Sequence, residues 1–376
     1  MTESSIENLI ADYLDTIYIL SHSQGSVDSY RFAINRFKKF VQDKYEKSLE
    51  QIISEIKDNS MDRYQIFQNF VIYLDKEGKK PSSIKIWVMG AKGFLKHCGI
   101  KLYNEDFKMA VKLPKRVHQR EEPLTKEIIL RLLNNVSAKL RTIILVATAS
   151  GMRIGEILQL KLYDIDFDSK PTKIKIRAET TKTRESRETF LTAEATKSLK
   201  DYLTRYFGWK ENEFNNLQDL IIFGRTSKSR KSLKERKTTL QKSNSSVLTN
   251  SMKRHLENIP ELSKLNENGR LMVHFHAFRK YFRTVVGNAV GRDYAEALMG
   301  HHFYLDTYYQ LPDQEKLSMY LQAEPFLTIS DFSAIKKELK NQKQIHEEII
   351  KKQLELDRLL EDNHIEVPQI LQKYVN

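Results

Sequence analysis

The sequence predicts a mainly α-helical protein of two domains, with one small antiparallel β-sheet in the second. Three observations carry this. Only 13 glycines and 8 prolines punctuate 376 residues, which leaves long uninterrupted segments. Apolar residues recur at steps of three and four over most of the length. A single pair of β-prone runs, residues 173–177 and 188–191, breaks that pattern, with a polar turn at 180–186 between them.

The elements follow in order. Residues 6–99 read as helical. Tyr30, Ile34, Phe37 and Val41 define one apolar face, with Ser26 and Asp28 before them as N-caps. Phe67, Phe70, Val71 and Leu74 define a second, and Ile84, Trp87, Val88 and Phe94 a third that opens after Pro81. Together these predict a four-helix first domain over residues 1–112. Residues 113–123 are basic, contain Pro114 and lack apolar periodicity, so they read as a linker. The second domain, 124–328, starts a helix at Thr125 as N-cap. It then buries a helix at 140–149, turns at Ser150-Gly151, forms the hairpin, and resumes helices at 247–320. Residues 227–246 between them are rich in Ser, Thr, Lys and Arg and read as a mobile basic loop. The tail, 329–376, opens with a charged helix at 332–360. Ile335, Leu339, Ile349, Leu356 and Leu360 stand near heptad spacing there, broken by Gln342, His346 and Gln353. A docking or self-associating helix and a solvated one both fit.

Composition narrows the function. The 62 Lys and Arg outnumber 49 Asp and Glu, giving a formal charge of +13 that asks for a polyanionic partner or serves only to solubilise the surface. Cys98 stands alone, which excludes an intrachain disulfide framework and a cysteine zinc module. The longest aliphatic run, residues 143–149, is too short to span a bilayer, and the N-terminus lacks the basic and apolar regions of a secretory signal. A cytoplasmic protein with no membrane partner is expected.

Three segments could carry chemistry. In the first, Arg153 follows a glycine turn and opens a short helix whose apolar face is Ile154, Ile157 and Leu158; alone, it reads as a surface arginine paired with Glu156 at i+3. In the second, His276 and Arg279 are three apart on a helix that buries Phe275, Phe278 and Phe282. An arginine fork with a histidine able to move a proton suits a phosphate, while a basic solvent face is the plainer reading. In the third, Gly300-His301 is followed by Tyr308 and Tyr309. The carboxylates Asp164, Asp166 and Asp168 suggest a calcium loop, but Ser169 replaces the glycine and Lys175 the final glutamate, so they read as a solvated turn.

In order, Arg153, the Lys182 turn, His276-x-x-Arg279, Gly300-His301 and Tyr308-Tyr309 resemble the tyrosine recombinase, or phage integrase, family, over roughly residues 124–327. The first domain and basic linker resemble that family's core-binding domain. Residues 274–312, with their Asp-Thr-Tyr-Tyr run, are most similar to the archaeal and mobile-element branch.

The resemblance implies a site-specific DNA recombinase with a helical core-binding domain and an α-rich catalytic domain bearing a small antiparallel sheet. Arg153 and Arg279 would hold the non-bridging oxygens of the scissile phosphate. Tyr308 would attack phosphorus, with Tyr309 the second choice, and give a 3′-phosphotyrosyl link. Lys182 would protonate the leaving 5′-oxygen, His276 would assist proton movement from the tyrosine, and His301 would hydrogen-bond the phosphate. The ester conserves the bond energy, so no metal, ATP or other cofactor is expected.

The implied partner is double-stranded DNA, bound by four protomers on two sites and by a protomer that can be monomeric in free solution. Lys115, Arg116 and Arg120 in the linker, with Arg225, Lys228, Arg230 and Lys231 in the loop, are candidate DNA contacts; a solvated loop is the alternative for the last four. A type IB topoisomerase-like activity would use the same residues without pairing sites. A non-catalytic helical DNA-binding regulator is the reading outside enzymes.

Overall fold

The structure, a computed structural model, describes residues 3–115, 122–210, 219–224, 245–265, 271–301, 311–330, 344–355 and 358. The chain divides into two units, residues 1–118 and 119–376.

The first unit holds α1 (Glu3–Ser21), α2 (Gln24–Tyr45), α3 (Leu49–Lys57), α4 (Gln65–Lys76), α5 (Pro81–His97) and α6 (Asn104–Ala110). Six helices among the described residues replace the four expected. A strong local cap makes one of the extra breaks. Ser48 and Gln51 form a reciprocal capping box that starts α3 directly after α2. Ser23, not Ser26 or Asp28, caps α2: its Oγ accepts from the Ser26 N–H at 3.3 Å, and Asp28 accepts from Gln24 instead. The apolar face of α2 begins with buried Val27, one turn before Tyr30, so the helix starts earlier than its aromatic residues suggest. Phe37 and Phe40 of α2 and Phe67 and Phe70 of α4 are fully buried, with Phe37 and Phe70 edge-to-face at 5.2 Å. Each such pair contributes roughly 0.5–1.5 kcal/mol beyond area burial. Phe107 seats the short α6 against Phe67 at 5.1 Å.

The second unit is built around one helix. Its elements are α7 (Lys126–Asn134), α8 (Ala138–Ser150), α9 (Ile154–Ile157), β1 (Ile165–Asp166), β2 (Thr172–Ile176), β3 (Arg187–Leu191), α10 (Ala193–Phe207), α11 (Ser245–Glu257), α12 (Phe275–Ala289), α13 (Arg292–Met299) and α14 (Asp313–Leu327). Thr125 caps α7 as expected, accepting from the Ile128 N–H. Every residue of α8 from Thr142 to Ser150 is buried, the pattern of a helix packed on all sides. Its hydroxyls do not go unpaired: Thr148 and Ser150 donate to carbonyls one turn back. The sheet runs β1-β2-β3, all antiparallel, with Ile174 opposite Thr189 and Ile176 opposite Arg187. Thr189 fastens β3 to the end of α8 by donating to the Ser150 carbonyl at 2.8 Å. Tyr320 of α14 donates to the Ala149 carbonyl at 2.7 Å.

Two expectations here need correction. The hairpin has a third strand, β1, within the stretch read as an acidic turn. That stretch is also not wholly solvated. Asp164 is buried, accepts from the Lys161 N–H at 2.8 Å and pairs with Arg177 at 3.0 Å. Asp166 and Asp168 behave as expected, both exposed, with Asp166 accepting from the Asp168 and Ser169 N–H groups. Strand β2 buries Thr172, Ile174 and Ile176 by simple alternation, which delivers Arg177 onto Asp164. In the tail, residues 344–355 are helical with Ile345, Ile349, Ile350 and Leu354 exposed. Ile335, Leu339, Leu356 and Leu360, like the basic loop at 225–244, lie outside the described residues.

The α8 terminus leaves no room for a side chain. Gly151 takes a left-handed φ of 63°, and a β-carbon there would sit 2.4 Å from the Phe282 ring. Neither strain is escapable, because Phe282 is fully buried. Gly151→Ala is therefore expected to cost about 2–4 kcal/mol from backbone strain and overpacking combined. Urea unfolding of the variant checks this; a loss under about 0.5 kcal/mol, the usual scatter of a surface change, would sink the account.

Candidate active site

Two turns of the second unit meet through one buried arginine. The first is the α8 exit, Gly151 to Arg153. The second is the α13 exit, where Gly300 takes a left-handed φ of 66° and sends the chain to His301. Arg279, on the second turn of α12, is 1% exposed. Its Nη1 donates to the Gly151 carbonyl, and its Nη2 donates to the Met299 carbonyl at 2.6 Å. The same Nη2 lies 3.0 Å from His301 Nε2. Arg153, Arg279 and His301, distant in sequence, thus share one locality.

Two buried carboxylates support the cluster. Glu156 accepts the Arg153 backbone N–H at 2.8 Å and the Arg153 side chain at 3.0 Å. Arg187, the first residue of β3, grips the other side of Glu156 with both terminal nitrogens, at 3.2 and 2.6 Å. Glu296 binds His301 Nδ1 and Arg283 Nε. The contacts fix the histidine tautomer: Arg279 Nη2 can only donate, so Nε2 accepts and Nδ1–H donates to Glu296. Glu296 thereby sets the orientation of the imidazole ring.

The charges do not cancel locally. Burial pulls the Arg279 guanidinium down to about 9, Arg153 adds to the pull, and Glu156 opposes it. Burial alone would raise Glu156, but Arg187 and Arg153 hold it below its ordinary value. Burial likewise acts to raise Glu296, and His301 and Arg283 more than offset it. Among the described residues Arg279 has no carboxylate of its own, only carbonyls and an imidazole. A buried cation in that state favours an arriving anion, because the desolvation cost is already met.

The remaining candidate residues fall in different places. Lys182 is exposed in the β2–β3 connection, and among the described residues no hydrogen bond or ion pair ties it to the cluster. His276 is exposed one turn before Arg279, its ring centroid 6.5 Å from that of His274. The expected basic solvent face of α12 is thus corrected: residues three apart are offset by about 60° around a helix, and the boundary of the core falls between these two. Tyr308 and Tyr309 lie outside the described residues, as do Arg116, Arg120, Arg225, Lys228, Arg230 and Lys231. Lys115 is exposed at the end of the described part of the first unit. Among the described residues no group of three or more His, Cys, Asp or Glu is arranged to hold a metal ion, and no helix is long and apolar enough to cross a membrane.

Sequence reasoning missed Glu156 as a buried hub, and missed Arg187 and Glu296 altogether. Glu156 was visible only as an i+3 ion pair. Arg187 had one usable signal, an arginine at the start of a strand otherwise bound for the core.

Comparison with known proteins identifies the family and the fold. The model of the phage integrase family matches residues 122–308. The fold is that of solved lambda integrase chains. A lambda integrase tetramer bound to a Holliday junction aligns with TM-score 0.53 at 16% identity, covering 82% of this chain and 80% of that one. A lambda integrase dimer bound to a COC′ core site aligns with TM-score 0.54 at 16% identity, covering 85% and 76%. No curated protein matches the chain closely enough to serve as a relative. With the family match spanning Arg153 to Tyr308 and the described part of that segment folded around Arg279, the chain belongs to the phage integrase family, the tyrosine recombinases.

Proposed function

We propose that this chain is a site-specific DNA recombinase, an integrase that cuts and rejoins DNA through a 3′-phosphotyrosyl intermediate without metal or ATP. The observation that carries the reading is the convergence of Arg153, Arg279 and His301 inside the family-matched segment. A phosphodiester resists attack because it is anionic and its leaving alkoxide is poor. Arg153 and Arg279 hold the two non-bridging oxygens and neutralise the charge that grows at the pentavalent transition state. His301, oriented by Glu296, hydrogen-bonds the same phosphate. Tyr308 Oη attacks phosphorus as its proton passes through His276, and the departing 5′-oxygen takes a proton from Lys182. The P–O bond to the sugar breaks as the P–O bond to tyrosine forms, so the reverse attack by a 5′-hydroxyl reseals the strand.

The organisation suits duplex DNA. Residues 1–112 serve as a DNA-clamping domain, 113–123 as a basic linker, 124–328 as the catalytic domain and 329–376 as a charged helical tail. Lys115, Arg116, Arg120, Arg225, Lys228, Arg230 and Lys231 contribute phosphate contacts, consistent with the formal charge of +13. The lambda integrase assembly named above is a tetramer on a Holliday junction, which supports four protomers on paired sites here.

Trapping tests the chemistry. Incubated with nicked suicide duplexes from its own flanking DNA in the presence of chelator, the protein is expected to form an adduct stable on denaturing gels. Tyr308→Phe should lose it and Tyr309→Phe keep it. The reverse pattern moves the nucleophile to Tyr309, and DNA binding without any adduct overturns the recombinase reading. Arg153→Gln is expected to slow adduct formation by about 100- to 1,000-fold while leaving non-covalent DNA binding largely intact. Quench-flow trapping against gel shift measures both, and an equal loss in the two would show that Arg153 only anchors DNA.

A further inference from the structure

Arg187 stands behind the cluster rather than in it, and nothing in the proposed reaction uses it. Its side chain is 9% exposed. Both terminal nitrogens hold the Glu156 carboxylate, while Nε donates to the Leu298 carbonyl at 2.9 Å. Its stem closes on the α13 exit: a β-carbon at Gly300 would meet Arg187 Cδ at 2.7 Å. One residue therefore touches the carboxylate that aims Arg153 and the turn that presents His301. It sits at the root of β3, opposite Ile176 and five residues after Lys182. Arg279 and Arg187 thus join the same two turns, one by the Gly151 and Met299 carbonyls and the other by Glu156 and the Leu298 carbonyl.

We propose that Arg187 is a positioning residue for phosphate activation, setting Arg153 through Glu156 and His301 through the Leu298–Gly300 turn. This rests on the recombinase reading. The fork is what matters. A lysine keeps the charge beside Glu156 but offers a single donor centre, so it cannot grip both carboxylate oxygens and the Leu298 carbonyl in one geometry. A small displacement of catalytic groups is costly in rate and cheap in binding, since near-attack geometry is lost while most DNA contacts remain.

The test uses the full chain with Arg187→Lys and Arg187→Gln, on suicide duplexes carrying either an ordinary scissile phosphate or a methylphosphonate. The methylphosphonate is neutral at phosphorus and demands less of the arginines. On ordinary phosphate both variants should form adduct about 10- to 100-fold more slowly than wild type, with little change in gel-shift affinity. On methylphosphonate the deficit should shrink, as it should for Arg153→Gln. Arg187→Lys, which preserves the buried ion pair, keeps the comparison valid if Arg187→Gln fails to fold, and thermal melting identifies that case. An undiminished deficit on methylphosphonate, or wild-type rates for Arg187→Lys, would overturn the inference while leaving the recombinase reading standing. Failure of the wild-type chain to form any adduct would instead remove that reading.

Discussion

A guanidinium at 1% exposure has to be answered on every side, and Arg279 is answered mostly by backbone. The Gly151 and Met299 carbonyls are the ends of two helices, α8 and α13, whose last carbonyls have no partner within the helix. Bringing both to one cation settles three local problems at once. The helix termini are capped, the cation is partly compensated by the negative ends of two dipoles, and the turns that follow are fixed relative to each other. The left-handed glycines at 151 and 300 are the local condition for this, because each lets the chain leave its helix while the carbonyl stays on the arginine. α8, buried from Thr142 to Ser150, supplies the reference from which the arrangement is measured.

Carbonyl dipoles answer a cation only in part. The two glutamates nearest the cluster are already committed, Glu156 to Arg153 and Arg187 and Glu296 to His301 and Arg283. The cluster is left with an excess of positive charge in a place where water does not screen it well. For a structural ion-pair network that would be a poor design, since isolated buried charge is destabilising. For a site that receives a phosphodiester it is what the chemistry demands: donors aimed before the anion arrives, with no reorganisation needed as negative charge builds.

The legible parts of the sequence were those in which local pattern and tertiary structure agree. Thr125 caps its helix, β2 and β3 pair where the β-prone runs stand, and the aromatic faces of α2, α4 and α5 pack inward. Arg153, Arg279 and His301 were legible through spacing and order. Misreadings came where a residue answers to a distant partner. Nothing local distinguishes Glu156 from a surface i+3 partner, because its burial is created by Arg187 from a strand thirty-one residues on. Glu296 lies five residues before His301, a separation that brings them together only because the chain reverses at Gly300. Asp164 read as solvated because its partner, Arg177, arrives from the far end of β2. In each case the charge was plain and its neutralising partner was not.

The proposed reaction also explains why the candidate residues fall into two environments. Stabilising a transition-state charge rewards rigidity, and the groups proposed to hold the phosphate are the buried or half-buried, multiply bonded ones. Transferring protons to a leaving oxygen and from a nucleophile rewards access, since those atoms move as bonds break and form. Lys182 and His276 are the exposed members. A fold that placed Lys182 in the same buried cluster would set another cation beside Arg153 and Arg279, at a cost in desolvation and repulsion. In the proposed reaction, carrying it instead on the hairpin whose root is Arg187 would tether the acid to the phosphate without adding its charge to the interior.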